Sequence, residues 1–131
     1  MTKPAPPTAN ARGLHLDLEA FSEVAFRELR DHPLHTPGIC ALPYCSKPFA
    51  PSREWQIYCS SACRDRDRRD LRAFGEKIAP AQLAYRVGKY EAEDPARIAL
   101  ARAGRRYVGA ASTALLQARI SASEEARARH E

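Results

Sequence analysis

Four cysteines lying within 24 residues constrain this chain more than any other feature of its sequence. Cys40 and Cys45 form one close pair, Cys59 and Cys63 form a second pair, and thirteen residues lie between the two pairs. Two such pairs suit a four-coordinate metal site, because each local turn supplies two thiolates and the separating segment lets the turns face each other. The spacing therefore predicts one structural Zn²⁺ ion bound by these four residues.

Three other uses of the cysteines stay open at this stage: two disulfides, an iron–sulfur cluster or a thiol redox site. Residues 1–13 lack the apolar run of a secretory signal, and no segment approaches the roughly 20 apolar residues needed to span a membrane. These features predict a cytoplasmic protein, and disulfides are rare in that compartment. Neither pair has the Cys-x-x-Cys spacing of redox sites. Zinc is thus favoured over the alternatives.

A chain of 131 residues with one Met, one Trp and four Phe has little large apolar material for a core. A structural metal and helix packing are expected to supplement it. Periodicity predicts a first helix from Asp17 to about Arg30, with Asp17 as its N-cap. This helix should end near Asp31, because Pro33 biases the residue before it away from helical angles.

Further helices are predicted after the cysteines. The first runs from Ser60, its N-cap, to about Ile78, and its inward face carries Asp67, an acid that needs a partner there. Pro80 is predicted to separate it from a short helix over 80–90. A last helix begins at Asp94-Pro95 and runs to about Ile120. The small residues of its predicted apolar stripe permit close helix contact. The stripe consists of Leu100, Gly104, Tyr107, Val108, Ala111, Leu115 and Ala118.

The predicted fold class is mainly α, with a small treble-clef zinc finger between helical segments. The finger consists of a knuckle, a short β-hairpin with its turn in Lys47–Ser52, and the helix that begins at Ser60. The predicted organisation is a disordered tail over 1–13, a helix and connector over 14–37, the zinc module with its basic helix over 38–79, a helical segment over 80–121 and a charged tail over 122–131.

The stretch Tyr58-Cys59-Ser60-Ser61-Ala62-Cys63-Arg64, with Cys45-Ser46-Lys47-Pro48-Phe49 upstream, resembles short bacterial treble-clef zinc fingers over about residues 38–72. It is similar to the CGNR zinc fingers of bacterial transcription regulators, and more weakly to small bacterial gyrase-inhibitor zinc proteins. Arg64-Asp65-Arg66 stands where CGNR fingers have Gly-Asn-Arg, and the second cysteine pair is one residue closer. The resemblance implies a zinc fold over this quarter of the chain.

The second functional signal is a run of arginines directly after the last cysteine. Arg64, Arg68 and Arg72 are spaced four apart, so they share one side of a helix. A phosphate-binding stripe and an ordinary solvated face are equally compatible with this pattern, since aspartates alternate with the arginines. The predicted nucleic-acid-binding residues are Lys47, Arg53, Arg64, Arg66, Arg68, Arg69 and Arg72, with DNA favoured over RNA.

The net charge of the chain supports nucleic-acid binding only weakly. The formal net charge is +5, but four thiolates and Zn²⁺ together carry −2, which leaves about +3.

Trp55 and Tyr58 are expected to pack over the metal core, with stacking on bases as the alternative.

No enzyme is predicted, because four cysteine ligands leave zinc no open position and no histidine lies in the cysteine segment. The alternative to nucleic-acid binding is a zinc-stabilised protein-interaction module or adaptor. Such a module would dock a partner or a second copy of the chain on the Ala-rich helix 95–120. Oligomeric state and partner identity are left open by the sequence.

Overall fold

The structure, a computed structural model, describes residues 16–91 and 93–131. The chain divides into two compact units, Met1–Leu34 and His35–Glu131. The described residues are mainly helical, so the predicted mainly α class is confirmed. The predicted disordered tail, residues 1–13, lies outside the described residues. The helices span Phe21–Val24 (α1), Phe26–Asp31 (α2), Ser61–Tyr90 (α3) and Pro95–Arg129 (α4).

The single helix predicted in the first unit is wrong. Two short helices, α1 and α2, meet at Ala25, whose φ of −104° and ψ of 35° are not helical. Asp17 is not the N-cap; Ala20 holds that position and makes no side-chain cap bond. Phe21 and Phe26 are exposed, so little apolar burial offsets the entropy of a longer helix. The predicted end at Asp31 is confirmed.

Pro80 does not end a helix, contrary to prediction: α3 is one helix of 30 residues with this proline inside it. Proline removes one backbone hydrogen bond and costs about 3 kcal/mol in a helix interior. The opposing contribution comes from packing, because the residues after Pro80 form the face that contacts α4. Ala81 and Ala84 lie against Gly104 of α4 on this face. A break at Pro80 would lose that contact.

Two glycines allow α3 and α4 to approach each other closely. A Cβ atom at Gly88 would collide with the Cβ of Ala101, and one at Gly104 would collide with the carbonyl oxygen of Ala81. Both glycines are buried. The prediction that small residues of the last helix permit close contact is therefore confirmed, and the two long helices form an antiparallel hairpin joined through residues 91–94.

Replacing Gly104 by alanine is expected to destabilise the protein. Overpacking costs about 1–3 kcal/mol, which exceeds the roughly 1 kcal/mol gained from better helix propensity. Gly109, on the same helix, has no atom within 4 Å of an added Cβ, so Gly109→Ala should stabilise by up to about 1 kcal/mol. Urea unfolding of both variants measures the difference. Equal effects of the two substitutions would contradict the close contact.

Helix α4 begins as predicted and ends later than predicted. Pro95 is its first residue, and the side chain of Asp94 accepts a hydrogen bond from the amide of Ala96 at 2.9 Å. The predicted end near Ile120 is wrong, since the helix continues to Arg129 through most of the supposed charged tail. Alanine, glutamate and arginine favour helix there, and Ala126 is fully buried. No helix among the described residues is long and apolar enough to cross a membrane.

Candidate metal centre

The first cysteine pair lies on a knuckle formed by tight turns. The amide of Cys40 donates to the carbonyl of Lys47 at 2.9 Å, which folds the segment back on itself. The amides of Cys45 and Ser46 both donate to the carbonyl of Leu42, at 3.0 and 2.9 Å. Ser46 adopts a left-handed φ of 45°, which completes the turn. The knuckle thereby places two thiols on one side of a short loop.

The predicted β-hairpin is not found among residues 16–91 and 93–131. One isolated antiparallel bridge joins Ile39 to Pro48, and a single hydrogen bond of 2.8 Å runs from the amide of Ala41 to the carbonyl of Ile57. Prolines limit strand pairing because they lack the amide donor, and Pro51 follows Pro48 closely. Tight turns, and not a β-hairpin, therefore position the first cysteine pair.

The second cysteine pair lies at the beginning of α3. The hydroxyl of Ser60 accepts a hydrogen bond from the amide of Cys63 at 3.2 Å, so Ser60 is the N-cap as predicted. Cys63 falls in the first turn, and the amide of Cys59 points to the sulfur of Cys40 at 3.4 Å. The positive end of the helix favours thiolates here. This contact brings the two pairs together.

The four sulfur atoms lie within 4.8 Å of one another, an arrangement that can hold a metal ion. The sulfur of Cys59 lies 3.7 Å from those of Cys45 and Cys63. Ligands at about 2.3 Å from a tetrahedral ion are about 3.8 Å apart, so the spacing fits. A disulfide needs about 2.05 Å, and all four cysteines are free.

Burial makes the thiols of Cys40 and Cys45 hard to ionise without a cation. Cys40 is 2% exposed, and its burial raises the pKa of the thiol to about 12. Burial also raises the pKa of Cys45. For Cys59 burial acts in the same direction, but hydrogen bonds from the neighbouring thiols outweigh it and lower its pKa. Metal binding at this site must therefore displace protons.

A buried ion pair fixes the cysteine segment against both long helices. Asp67, 1% exposed, accepts hydrogen bonds from Arg119 of α4 at 2.7 and 3.2 Å and from the Tyr58 hydroxyl at 2.6 Å. Arg119 also donates to the carbonyl of Ala41 at 3.3 Å. The hydrogen bond to Asp67 raises the pKa of Arg119, and burial and the same carboxylate raise the pKa of Tyr58. Asp67 thus has the partner that its position required.

The last turns of α4 contact the knuckle directly. Ser46, 1% exposed, shares a hydrogen bond of 2.9 Å with Ser123. Arg129 donates to the carbonyl of Tyr44 at 3.1 Å, and a ring nitrogen of His130 lies 2.8 Å from the carbonyl of Cys45. The knuckle consequently has the cysteine cluster on one side and α4 on the other.

These supporting residues, Arg119, Ser123 and His130, were not selected from the sequence. A usable signal existed for one of them. Arg119 continues the inward spacing of Gly104, Val108, Ala111 and Leu115, so it is the one cation on an apolar stripe, as Asp67 is the one acid on the facing stripe. Two opposite charges on two facing apolar stripes predict a pair.

The predicted nucleic-acid-binding residues are all exposed, but the structure does not gather them into one cluster. Arg64 contacts Asp65 at 3.3 Å, and the guanidinium of Arg66 lies 4.8 Å from the centre of the Tyr44 ring. At 100° per residue, Arg66 lies on the other side of α3 from Arg64, Arg68 and Arg72. The exposed predicted residues are Lys47, Arg53, Arg64, Arg66, Arg68, Arg69 and Arg72.

The prediction that Trp55 packs over the metal core is wrong. Its side chain is 74% exposed, whereas Tyr58 is half-buried and bonded to Asp67 as described above. The core under the knuckle is instead filled by smaller residues, with Leu42 4% exposed. Trp55 is therefore available at the surface.

Comparison of the chain with protein families, with curated proteins and with solved structures finds no match.

Proposed function

We propose that the four cysteines bind one structural Zn²⁺ ion. Four thiolates at tetrahedral spacing are the usual donor set of closed zinc sites, and zinc has no geometric demand beyond this. A multinuclear iron–sulfur cluster would spread the thiolates further, because its irons are ligated separately. All four sulfurs lie within 4.8 Å, which favours a single ion. The ion would orient α3 and take no part in a reaction.

We further propose that the protein binds nucleic acid, with DNA favoured over RNA, through the arginines of α3 and without enzymatic activity. The observation that carries this proposal is the exposed sector that Arg64, Arg68 and Arg72 form on the first turns of a helix fixed by the cysteines. Successive i to i+4 steps turn by only about 40°, so these arginines face one direction. Arginines arranged in this way can contact successive phosphates of a nucleic-acid backbone.

The solvated-face interpretation loses one of its arguments. It relied on three aspartates neutralising the arginines, but Asp67 is buried and its charge is matched by Arg119. Only Asp65 and Asp70 accompany the five arginines at the surface of this segment. The exposed stretch therefore carries three more positive than negative charges, one more than the sequence count indicates. The resemblance to CGNR fingers supports the same proposal.

The alternative, a protein-interaction module that uses the stripe of the last helix, is less well supported. Gly104 of that stripe is buried against α3, and Val108, Ala111 and Leu115 are half-buried. A partner cannot use side chains that already pack inside the hairpin. Leu100 and Tyr107 are each 44% exposed and remain for contact with a partner. Self-association would appear as a concentration-dependent mass in light scattering.

Nucleic-acid binding is tested by its dependence on salt. If Arg64, Arg68 and Arg72 each neutralise one phosphate, affinity for duplex DNA should fall about 40-fold between 50 and 200 mM salt. Reversing these three charges to glutamate should abolish binding and remove the salt dependence. Fluorescence anisotropy with labelled DNA and RNA, using metal-replete protein, measures both.

A matched control exists on α4, where Arg102, Arg105 and Arg106 are exposed. Reversing these three charges changes the net charge by the same amount and should preserve most of the binding. Absence of binding at micromolar protein, or affinity that does not change with salt, would refute the proposed function. Equal losses in the two triple variants would refute the assignment to α3.

A further inference from the structure

The most exposed large aromatic side chain among the described residues of the unit His35–Glu131 is Trp55, which lies on a hydrogen-bonded turn. The turn spans residues 52–56 and is called here the Trp55 turn. The side-chain oxygen of Gln56 accepts hydrogen bonds from the amide and the hydroxyl of Ser52, at 2.8 and 2.9 Å. The side-chain nitrogen of Gln56 donates to the carbonyl of Tyr58 at 2.9 Å, and its backbone amide donates to the carbonyl of Arg53 at 3.0 Å. One glutamine thus fixes the turn.

Trp55 is presented to solvent by this turn and is not used by the fold. Its side chain is 74% exposed, and the guanidinium of Arg53 lies 5.9 Å from the centre of its ring. An arginine at that distance is within cation–π range and leaves the opposite ring face open. Exposure of a single apolar residue is ordinary, but here a rigid turn holds the chain's one tryptophan beside a cation.

The charges around Trp55 indicate what the turn can bind. Glu54 lies at the tip between Arg53 and Trp55 and is also exposed. The acid offsets Arg53, so the tip itself is a poor site for phosphate. A flat uncharged group can still stack on the ring, while the arginines of α3 supply the attraction for phosphates. Unpaired nucleobases are flat and uncharged and are joined by phosphates. Bases inside a duplex are already stacked on both faces.

We propose that the protein prefers single-stranded nucleic acid and that Trp55 stacks on an unpaired base. This inference rests on the proposed function, because it assumes that the strand is held by the arginines of α3. It adds the class of substrate and a second contact outside that helix. Base–aromatic stacking does not depend on base identity, so the preference should be for unpaired strands and not for a sequence.

The experiment follows the fluorescence of Trp55, the only tryptophan in the chain. The full-length, metal-replete protein is titrated with a 12-nucleotide oligothymidine, the matching oligouridine and a duplex DNA of equal length. Stacking should quench the fluorescence with either single strand and not with the duplex. Trp55→Ala should weaken single-strand binding about 5- to 150-fold, and Trp55→Phe should retain part of it.

Tyr107→Ala is the matched control, since this aromatic residue is 44% exposed and lies on α4 away from the cysteines. It should leave binding unchanged. Comparing the oligothymidine and oligouridine arms tells whether the DNA strand or the RNA strand is bound more tightly, which tests the proposed preference for DNA. Equal affinity for duplex and single strand, without quenching, would overturn this inference and leave the proposed function standing. No binding of any of the three probes would overturn both.

Discussion

Replacing Cys40 by serine is expected to abolish metal binding and to unfold the knuckle. Cys40 is the most buried of the four ligands, and its amide also forms the hydrogen bond to Lys47 that folds the segment back. Structural zinc contributes about 10–16 kcal/mol of binding free energy in small modules, as much as or more than the total stability of a typical domain. So little core is present here that the module should not fold without the ion.

Metal content by mass spectrometry and hydrogen exchange of the amides of Cys40, Ala41 and Ser46 measure this loss. Ser121→Ala, at an exposed serine of α4, is the control and should retain one metal ion per chain. Acid should mimic the variant: the raised pKa values of Cys40 and Cys45 favour protonated thiols, so the metal is released as pH falls and rebinds as pH rises. Retention of one ion and full protection in Cys40→Ser would contradict the assignment.

Replacing Arg119 by methionine is expected to destabilise the protein by about 3 kcal/mol. The substitution keeps most of the side-chain volume but leaves the carboxylate of Asp67 buried, with the Tyr58 hydroxyl as its remaining donor. Breaking one side of a buried ion pair costs about 3–5 kcal/mol, and the lower end applies because the Arg119 side chain is 29% exposed. Urea unfolding measures the change.

A triple variant tests whether the loss in Arg119→Met comes from leaving the Asp67 carboxylate buried without its cation. Replacing Asp67 by leucine, Arg119 by methionine and Tyr58 by phenylalanine removes the three polar side chains of the network and leaves only the carbonyl of Ala41 without its donor, so most of the lost stability should recover. The exposed pair of Arg64 and Asp65 is the control, and Asp65→Asn should change stability by less than about 1 kcal/mol. Additive losses in the triple variant would show that the three residues do not act as one network.

Local features of the sequence predicted the structure where the physical cause is local. The cysteine pairs predicted the sulfur cluster because each pair of ligands must come from one short turn. Ser60 and Asp94 predicted helix starts because capping depends on neighbouring amides. The inward position of Asp67 predicted a partner, because a buried carboxylate needs one.

The features that sequence reasoning missed depend on residues distant in the chain. Pro80 locally disfavours helix, yet α3 continues through it because α4 contacts both sides of that position. The end of α4 at Arg129 depends in the same way on the knuckle, which Ser123 and His130 contact. Arg119 could have been paired with Asp67 only after the two helices were recognised as neighbours. Resemblance to CGNR fingers stays a prediction.

The contacts between α4 and the knuckle join parts of the chain 77 to 85 residues apart. The four ligands, in contrast, are complete once a segment of 24 residues has been synthesised. During translation the metal can therefore bind while the residues of α4 are still missing. Asp67 on α3 and Ser46 on the knuckle then lack their contacts with α4 until Arg119 and Ser123 leave the ribosome. Because long-range contacts form last, closure of the hairpin onto a preformed metal centre should be the slow step in the maturation of this unit.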